Sequence, residues 1–230
     1  LNYAWVFIEP LMHLAIYYFL FGSVLNVGVD NYGLFLLCGL VPWMWFSKAV
    51  SNSANSIISG QALMLNTNMA PAFFPLVSIV YATYKQLPAL LLLLMLGLVT
   101  NDKSISWNLL WLPSIMLIQL LLTSALALLL AAIIPFVRDL ANLVNTGLTL
   151  LMLMSGVIYD FRSMPGRIGQ WLEYNPLAIL ISSYREVLLE GIQPNFMGLG
   201  YVIVISVMLL LINYYFYSHN RHNFARSGMN

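Results

Sequence analysis

Two stretches decide the fold: ALLLLLMLGLV, from Ala89 to Val99, and LLLTSALALLLAAII, from Leu120 to Ile134. Both are apolar nearly all round, whereas the strands of a membrane barrel alternate apolar and polar residues over about ten positions. A segment in lipid must bond its own backbone groups, which selects helix. The rest of the chain follows the same pattern. Only nine Lys and Arg and eight Asp and Glu stand among 230 residues, against 61% apolar ones. A soluble domain carries roughly a quarter charged residues, and here the mean hydropathy is +0.85.

Working outward, apolar runs fall at 5–25, 33–49, 76–99, 107–135, 140–158 and 196–217. At about 1.5 Å per residue each covers most or all of a hydrocarbon core about 30 Å thick. The expected fold is therefore an all-α integral membrane protein of one domain, residues 1–230, with six transmembrane helices. A net charge of +1 gives no polyanion-binding surface, and no basic run resembles a nucleic-acid patch. Cys38, alone within a span, forms no disulfide within the chain. The sequence begins at Leu1 with no charged leader before the first apolar run, so no signal peptide is read and native residues are expected to precede Leu1.

An even number of spans puts both termini on one side. Lys48, Arg138, Arg221 and Arg226 on that side are balanced by Lys103, Arg162, Arg167 and Arg185 on the other, so the positive-inside rule ties. Acidic residues break the tie. Asp30, Asp102, Asp160, Glu173, Glu186 and Glu190 all lie opposite the termini, and the tail 219–226 carries no acid, so both termini are placed in the cytoplasm.

The segment between the last two spans is too charged to cross. Ser163 and Pro165 start one short helix running to about Glu173, and Asn175 with Pro176 caps and starts a second that ends at Gly191. This predicts an outer-face re-entrant or interfacial helical hairpin over 163–191. On the cytoplasmic side, 51–75 mixes Ser and Asn with Ile57, Ile58, Leu63, Met64 and Leu65. It reads equally as a docking element for a cytosolic partner or as a floating interfacial helix.

Polar residues inside the spans need a reason. Glu9, His13 and Tyr17 recur every four residues on one helix face, as do Asn142, Asn145, Thr146 and Thr149 on another. Such stripes are interhelical glue or a pore wall, and two of them favour a path between paired copies. Lys85, about 15 Å into its span, reads equally as a functional group facing a partner or water and as a structural one that snorkels or pairs with an acid, since a charge there costs at least about 2.5 kcal/mol. Trp43, Trp45 and Phe46 in the second span, and Tyr17, Tyr18, Phe19 and Phe21 in the first, read either as interfacial belt residues or as lumen rings that stack on sugar faces, with the belt the reading for most of them. The sequence has no phosphate-binding loop, no nucleophile elbow, and only isolated His219 and His222 as metal ligands. Neither catalysis nor a resident cofactor or metal is expected.

Six short motifs occur in order: Trp5-Val6-Phe7-Ile8-Glu9-Pro10; Phe21-Gly22; Gly39-Leu40-Val41-Pro42-Trp43-Met44-Trp45-Phe46-Ser47; Phe73-Phe74-Pro75; Phe136-Val137-Arg138-Asp139-Leu140; and Tyr174-Asn175-Pro176 followed by Arg185. In these the whole chain resembles the membrane permease subunit of bacterial ABC exporters of polysaccharides: lipid-linked O-antigen, capsule or wall teichoic acid.

The resemblance implies a homodimer in the bacterial inner membrane, each copy docked on a cytoplasmic ATPase subunit that uses ATP and Mg. Its implied cargo is an undecaprenyl-diphosphate-linked polysaccharide, most simply O-antigen. It assigns ATPase docking to the region around 59–69, with Gln61 and Asn66, and to Arg138 and Asp139. It assigns the outer gate to 163–191, with Tyr174, Asn175, Pro176 and Arg185. It lines the translocation path with the first and fifth spans, hence Glu9, His13, Tyr17, Asn142, Asn145 and Thr149, and leaves Lys85 as a contact for the lipid phosphate. The chain departs from the family at 66–72, which is uncharged where relatives often carry a base, and the amphipathic helix that the resemblance implies before the first span is expected among the residues that precede Leu1. An exporter of drugs or small lipids, and a channel or scaffold without an ATPase, are the alternative readings.

Overall fold

The computed structural model describes residues 4–24, 31–67, 69–100, 107–160, 169 and 172–220. Its elements are α1 (Ala4–Tyr17), continued by a π-helical stretch Tyr18–Val24; α2 (Tyr32–Ala54); two short helices α3 (Ser56–Ser59) and α4 (Gln61–Asn66); and α5 (Phe73–Thr100). A 3-10 turn Trp107–Trp111 leads into α6 (Leu112–Ile133), then come α7 (Leu140–Met154), α8 (Pro176–Arg185) with a π-helical end Glu186–Glu190, and α9 (Phe196–His219). The described residues contain no strand.

Among the described residues, five helices are long and apolar enough to cross a membrane: Trp5–Gly22, Tyr32–Ala54, Phe73–Gly97, Trp107–Ile133 and Phe196–His219. The expected span 140–158 is cut to the 15 residues of α7, about 22 Å of helix. Tertiary bonds stop it. Tyr159 Oη donates to Leu153 O, Asn175 Nδ2 donates to Met154 O, and the chain turns at Gly156 with φ of 65°. The last carbonyls of a helix need partners, and here they find them in other segments rather than in another helical turn.

Helix α2 is the hub, packing on α1, α5, α6, α7 and α8. All positions from Phe35 to Phe46 are buried, and Trp45 is 1% exposed. Trp43, Trp45 and Phe46 are therefore core residues, not a belt. Their rings fill the space between helices, and the one polar atom of Trp45 is satisfied internally, Nε1 donating to Thr83 Oγ1 at 3.1 Å. Pro42 within α2 lacks an N–H, and buried amides gather beside it. Gln86 Nε2 of α5 donates to Val41 O at 3.1 Å, and Gln119 Nε2 of α6 donates to Pro42 O at 2.8 Å. On the other side of α6, Ala125 and Ala127 are fully buried, where small residues let helices approach closely. There Asn213 Nδ2 of α9 donates to Ala125 O and Tyr217 Oη donates to Leu128 O.

At one end of the bundle Ile57 and Met64 bury themselves against Ala131 and Ala132, with Phe74, Phe216 and Tyr217 around them. The segment 51–75 is thus seated on the bundle rather than floating. At the other end α8 begins as its sequence predicts: Asn175 Oδ1 accepts from Leu177 N and Pro176 occupies the first turn. It closes at Gly191, whose φ of 66° an L side chain rarely adopts. The first arm of the expected hairpin, 163–173, lies outside the described residues apart from 169, 172 and 173.

Candidate functional site

The two polar stripes flank α2. At the end where α1 starts and α2 finishes, Lys48 Nζ pairs with Glu9 Oε2 at 2.5 Å, both side chains 38% exposed. Three residues on, Ser51 Oγ donates to Asn145 Oδ1 of α7 at 2.9 Å. Residues three apart on a helix are neighbours on its surface, so Lys48 and Ser51 tie α1 and α7 to adjacent points of α2. One to two turns further along α1, His13 Nδ1 donates to Glu9 O at 2.9 Å, and Tyr17 Oη reaches Met152 Sδ of α7 at 3.9 Å. The result is a shallow groove with α1 and α7 as walls and α2 as floor.

This groove is polar and half open. Glu9, His13 and Tyr17 are half-buried, and Asn142, Asn145, Thr146 and Thr149 are exposed. Thr149 Oγ1 returns a hydrogen bond to Asn145 O at 3.0 Å, which keeps α7 helical while leaving its amides outward. A face of amides and hydroxyls exposed on an apolar body is costly in lipid. It demands water, a ligand or another protein surface. Among the described residues no group of three or more His, Cys, Asp or Glu lies together to hold a metal.

Lys85 lies elsewhere. It sits on the outer side of α5 between the exposed rings of Tyr81 and Tyr84, its ammonium 4.9 Å from the Tyr81 ring centroid. Its neighbours Ala82, Gln86 and Ala89 are the residues that face inward. Arg138 and Asp139 are exposed, as is Asn66, while Gln61 is half-buried; all four belong to the end of the bundle that seats α3 and α4. Arg185, by contrast, is turned inside and only 5% exposed. Its Nη1 donates to Gly156 O and Nη2 to Val157 O, each at 2.8 Å, with Phe35 O at 3.4 Å from Nε and Nη2 and the Phe35 ring centroid at 3.5 Å from the guanidinium carbon. Tyr174 remains exposed, and Asn175 Nδ2 is spent on Met154 O and Ser155 Oγ. Burial pushes the Tyr159 and Tyr184 phenols upward, so both stay neutral at physiological pH.

Lys48, Ser51, Met152, Gln86 and Gln119 were not among the sequence-predicted site or core contacts. For Lys48 a signal was present: Glu9 and Lys48 are opposite charges near one end of consecutive, antiparallel apolar runs. The glutamines gave none, because their acceptors are backbone carbonyls.

Comparison with known proteins fits this geometry. Residues 1–189 match the family model described as ABC-2 type transporter. The chain belongs to that family. Among curated ABC-2 relatives, the O-antigen export system permease protein RfbA of Myxococcus xanthus is 30% identical over 99% of this chain and 88% of its own length. The RfbA protein of Klebsiella pneumoniae is 28% identical over 97% and 86%. The polysialic acid transport protein KpsM of Escherichia coli is 22% identical over 92% and 83%. As an ABC-2 transporter chain with several apolar helices it is a multi-pass membrane protein and a transport component.

Proposed function

We propose that this chain is the permease subunit of an ATP-driven exporter that moves a lipid-linked O-antigen polysaccharide across the bacterial inner membrane. The observation that carries the reading is the half-open polar groove between α1 and α7 on an otherwise apolar bundle. Two copies facing each other across this groove would enclose a polar path lined by Glu9, His13, Tyr17, Asn142, Asn145 and Thr149. A glycan can exchange hydrogen bonds with such amides and hydroxyls as it slides, with no strong site to hold it. ATP and Mg are used by a separate cytoplasmic subunit, docked at the bundle end that carries α3, α4 and the Arg138-Asp139 corner. The undecaprenyl-diphosphate anchor enters from that side, and the segment 163–191 gates the opposite one. Both chain termini lie in the cytoplasm.

Deleting the gene tests the reading. Surface O-antigen should disappear and return on expression of the chain with its ATPase partner, but not with a hydrolysis-dead partner; unchanged surface polymer in the deletion strain would sink it.

Two expected outcomes follow from placement. Arg138→Glu and Asp139→Lys should each leave the permease in the membrane while uncoupling ATP hydrolysis from export, read as polymer exported per ATP in the reconstituted complex. Coupling preserved in both variants removes this corner from docking. Lys85→Ala should keep export within about twofold of wild type, because an exposed cation–π contact is worth only about 0.5–1 kcal/mol and Lys85 lies outside the groove. A strong loss at normal protein level would return Lys85 to the path.

A further inference from the structure

At the bundle end away from Arg138, a cleft of about 370 Å³ opens between the Glu173-Tyr174 turn, α8 and the start of α9. That is within the range of small-ligand pockets, about 300–1,000 Å³. Its wall is polar: Glu173, Tyr174, Ser182, Ser183, Glu186 and Asn195 line it. Glu186 is 6% exposed, and its Oε2 is held by Asn195 N at 3.1 Å. Asn195 Oδ1 in turn caps α9 through Gly198 N at 3.1 Å, so the inner wall is rigid. The Glu173 carboxylate and the Ser182 hydroxyl make no hydrogen bond among the described residues, and Tyr174 presents a ring 70% exposed at the rim.

The lining narrows what fits. An apolar ligand would leave these groups unpaired. An anion would meet the Glu173 carboxylate, and the described lining holds no Lys, Arg or His. A neutral polyhydroxylated ligand matches: the Glu173 carboxylate and the Ser182 oxygen accept from its hydroxyls, and its C–H face lies against the Tyr174 ring. The position is equally specific. The residue after Tyr174, Asn175, donates to Met154 O and Ser155 Oγ at the very end of α7. One residue thus links the C-terminal end of α7, the helix that carries the exposed Asn142, Asn145 and Thr149, to the rim of the cleft.

We propose that this cleft is an exit subsite that takes one neutral sugar unit of the polymer as it leaves the α7 face. The proposal rests on the exporter reading and adds a place and a charge preference to it. The test uses the full permease with its ATPase in exporting cells, with Tyr174 replaced by p-benzoylphenylalanine, which keeps an aromatic ring at an exposed rim position. Irradiation should give a permease ladder carrying polymer, only with an active ATPase. The same probe at Tyr214, exposed near the far end of α9, should give none. Adding Glu173→Ala and Ser182→Ala should lower the cross-linked fraction about tenfold at equal permease level, the loss expected for two to three hydrogen bonds. Normal polymer export without a Tyr174 ladder, a ladder indifferent to those two substitutions, or a ladder built of a polyanionic glycan overturns the subsite and leaves the exporter reading standing. Normal surface polymer in the deletion strain overturns both.

Discussion

Arg185→Ala should give the largest single effect in the molecule: loss of most folded permease from the membrane, and for the purified remainder a melting temperature lower by about 10 °C. The guanidinium spans three segments at once, joining α8 to the carbonyls of Gly156 and Val157 after α7 and to Phe35 of α2. Removing it strands buried carbonyls at about 1–3 kcal/mol each and takes away a stacked cation from the Phe35 ring. A total of about 3–5 kcal/mol is a large share of the 5–15 kcal/mol typical of a folded domain. For a chain of this size that corresponds to about 10 °C. Arg185→Lys keeps the charge but has one point donor in place of a planar fork, so it should fall between wild type and Ala. A melting temperature for Arg185→Ala within about 2 °C of wild type would show that the junction does not hold the fold together.

Gly39→Ala should damage the same junction from the other side. A Cβ built on Gly39 would lie 2.7 Å from Val157 O and 2.9 Å from Arg185 Nη2. The first neighbour is backbone and the second belongs to a guanidinium already fixed by two short bonds, from Nη1 and Nη2, so neither yields cheaply. Overpacking of this kind costs about 1–3 kcal/mol, here with the loss of the Arg185 to Val157 bond added. Because both substitutions act through one contact set, the double variant Gly39→Ala with Arg185→Ala should be less destabilised than the two single losses summed. Strict additivity in thermal melts would place Gly39 outside the junction.

How much of this was legible depended on the kind of information each residue carried. The helical membrane character of 89–99 and 120–134 was plain, since no other structure bonds its backbone in so apolar a run. The start of α8 at Asn175-Pro176 and its end at Gly191 were also plain, because caps are local chemistry. The stripes Glu9-His13-Tyr17 and Asn142-Asn145-Thr149 were visible as helix faces. The helix read over 140–158 is shorter than expected because α7 ends on bonds from Tyr159 and Asn175, which no periodicity records. The aromatics of α2 were misplaced for a related reason: a Trp at a bilayer interface and a Trp between helices look alike in a run that is apolar on every side.

The sequence by itself determined that this protein is a bundle of apolar helices, where their caps lie and which polar residues share a face. Those properties depend on contacts within about four residues of each other. Only the tertiary structure decided what each face meets: that Glu9 pairs with Lys48 and Asn145 with Ser51 across α2, that the Lys85 ammonium lies over the Tyr81 ring, and that Arg185 is buried. In a chain with so few charges, hydrophobicity drives every helix into the membrane alike, and the choice of partner falls to close packing at Gly39 and to directional hydrogen bonds between segments up to 150 residues apart.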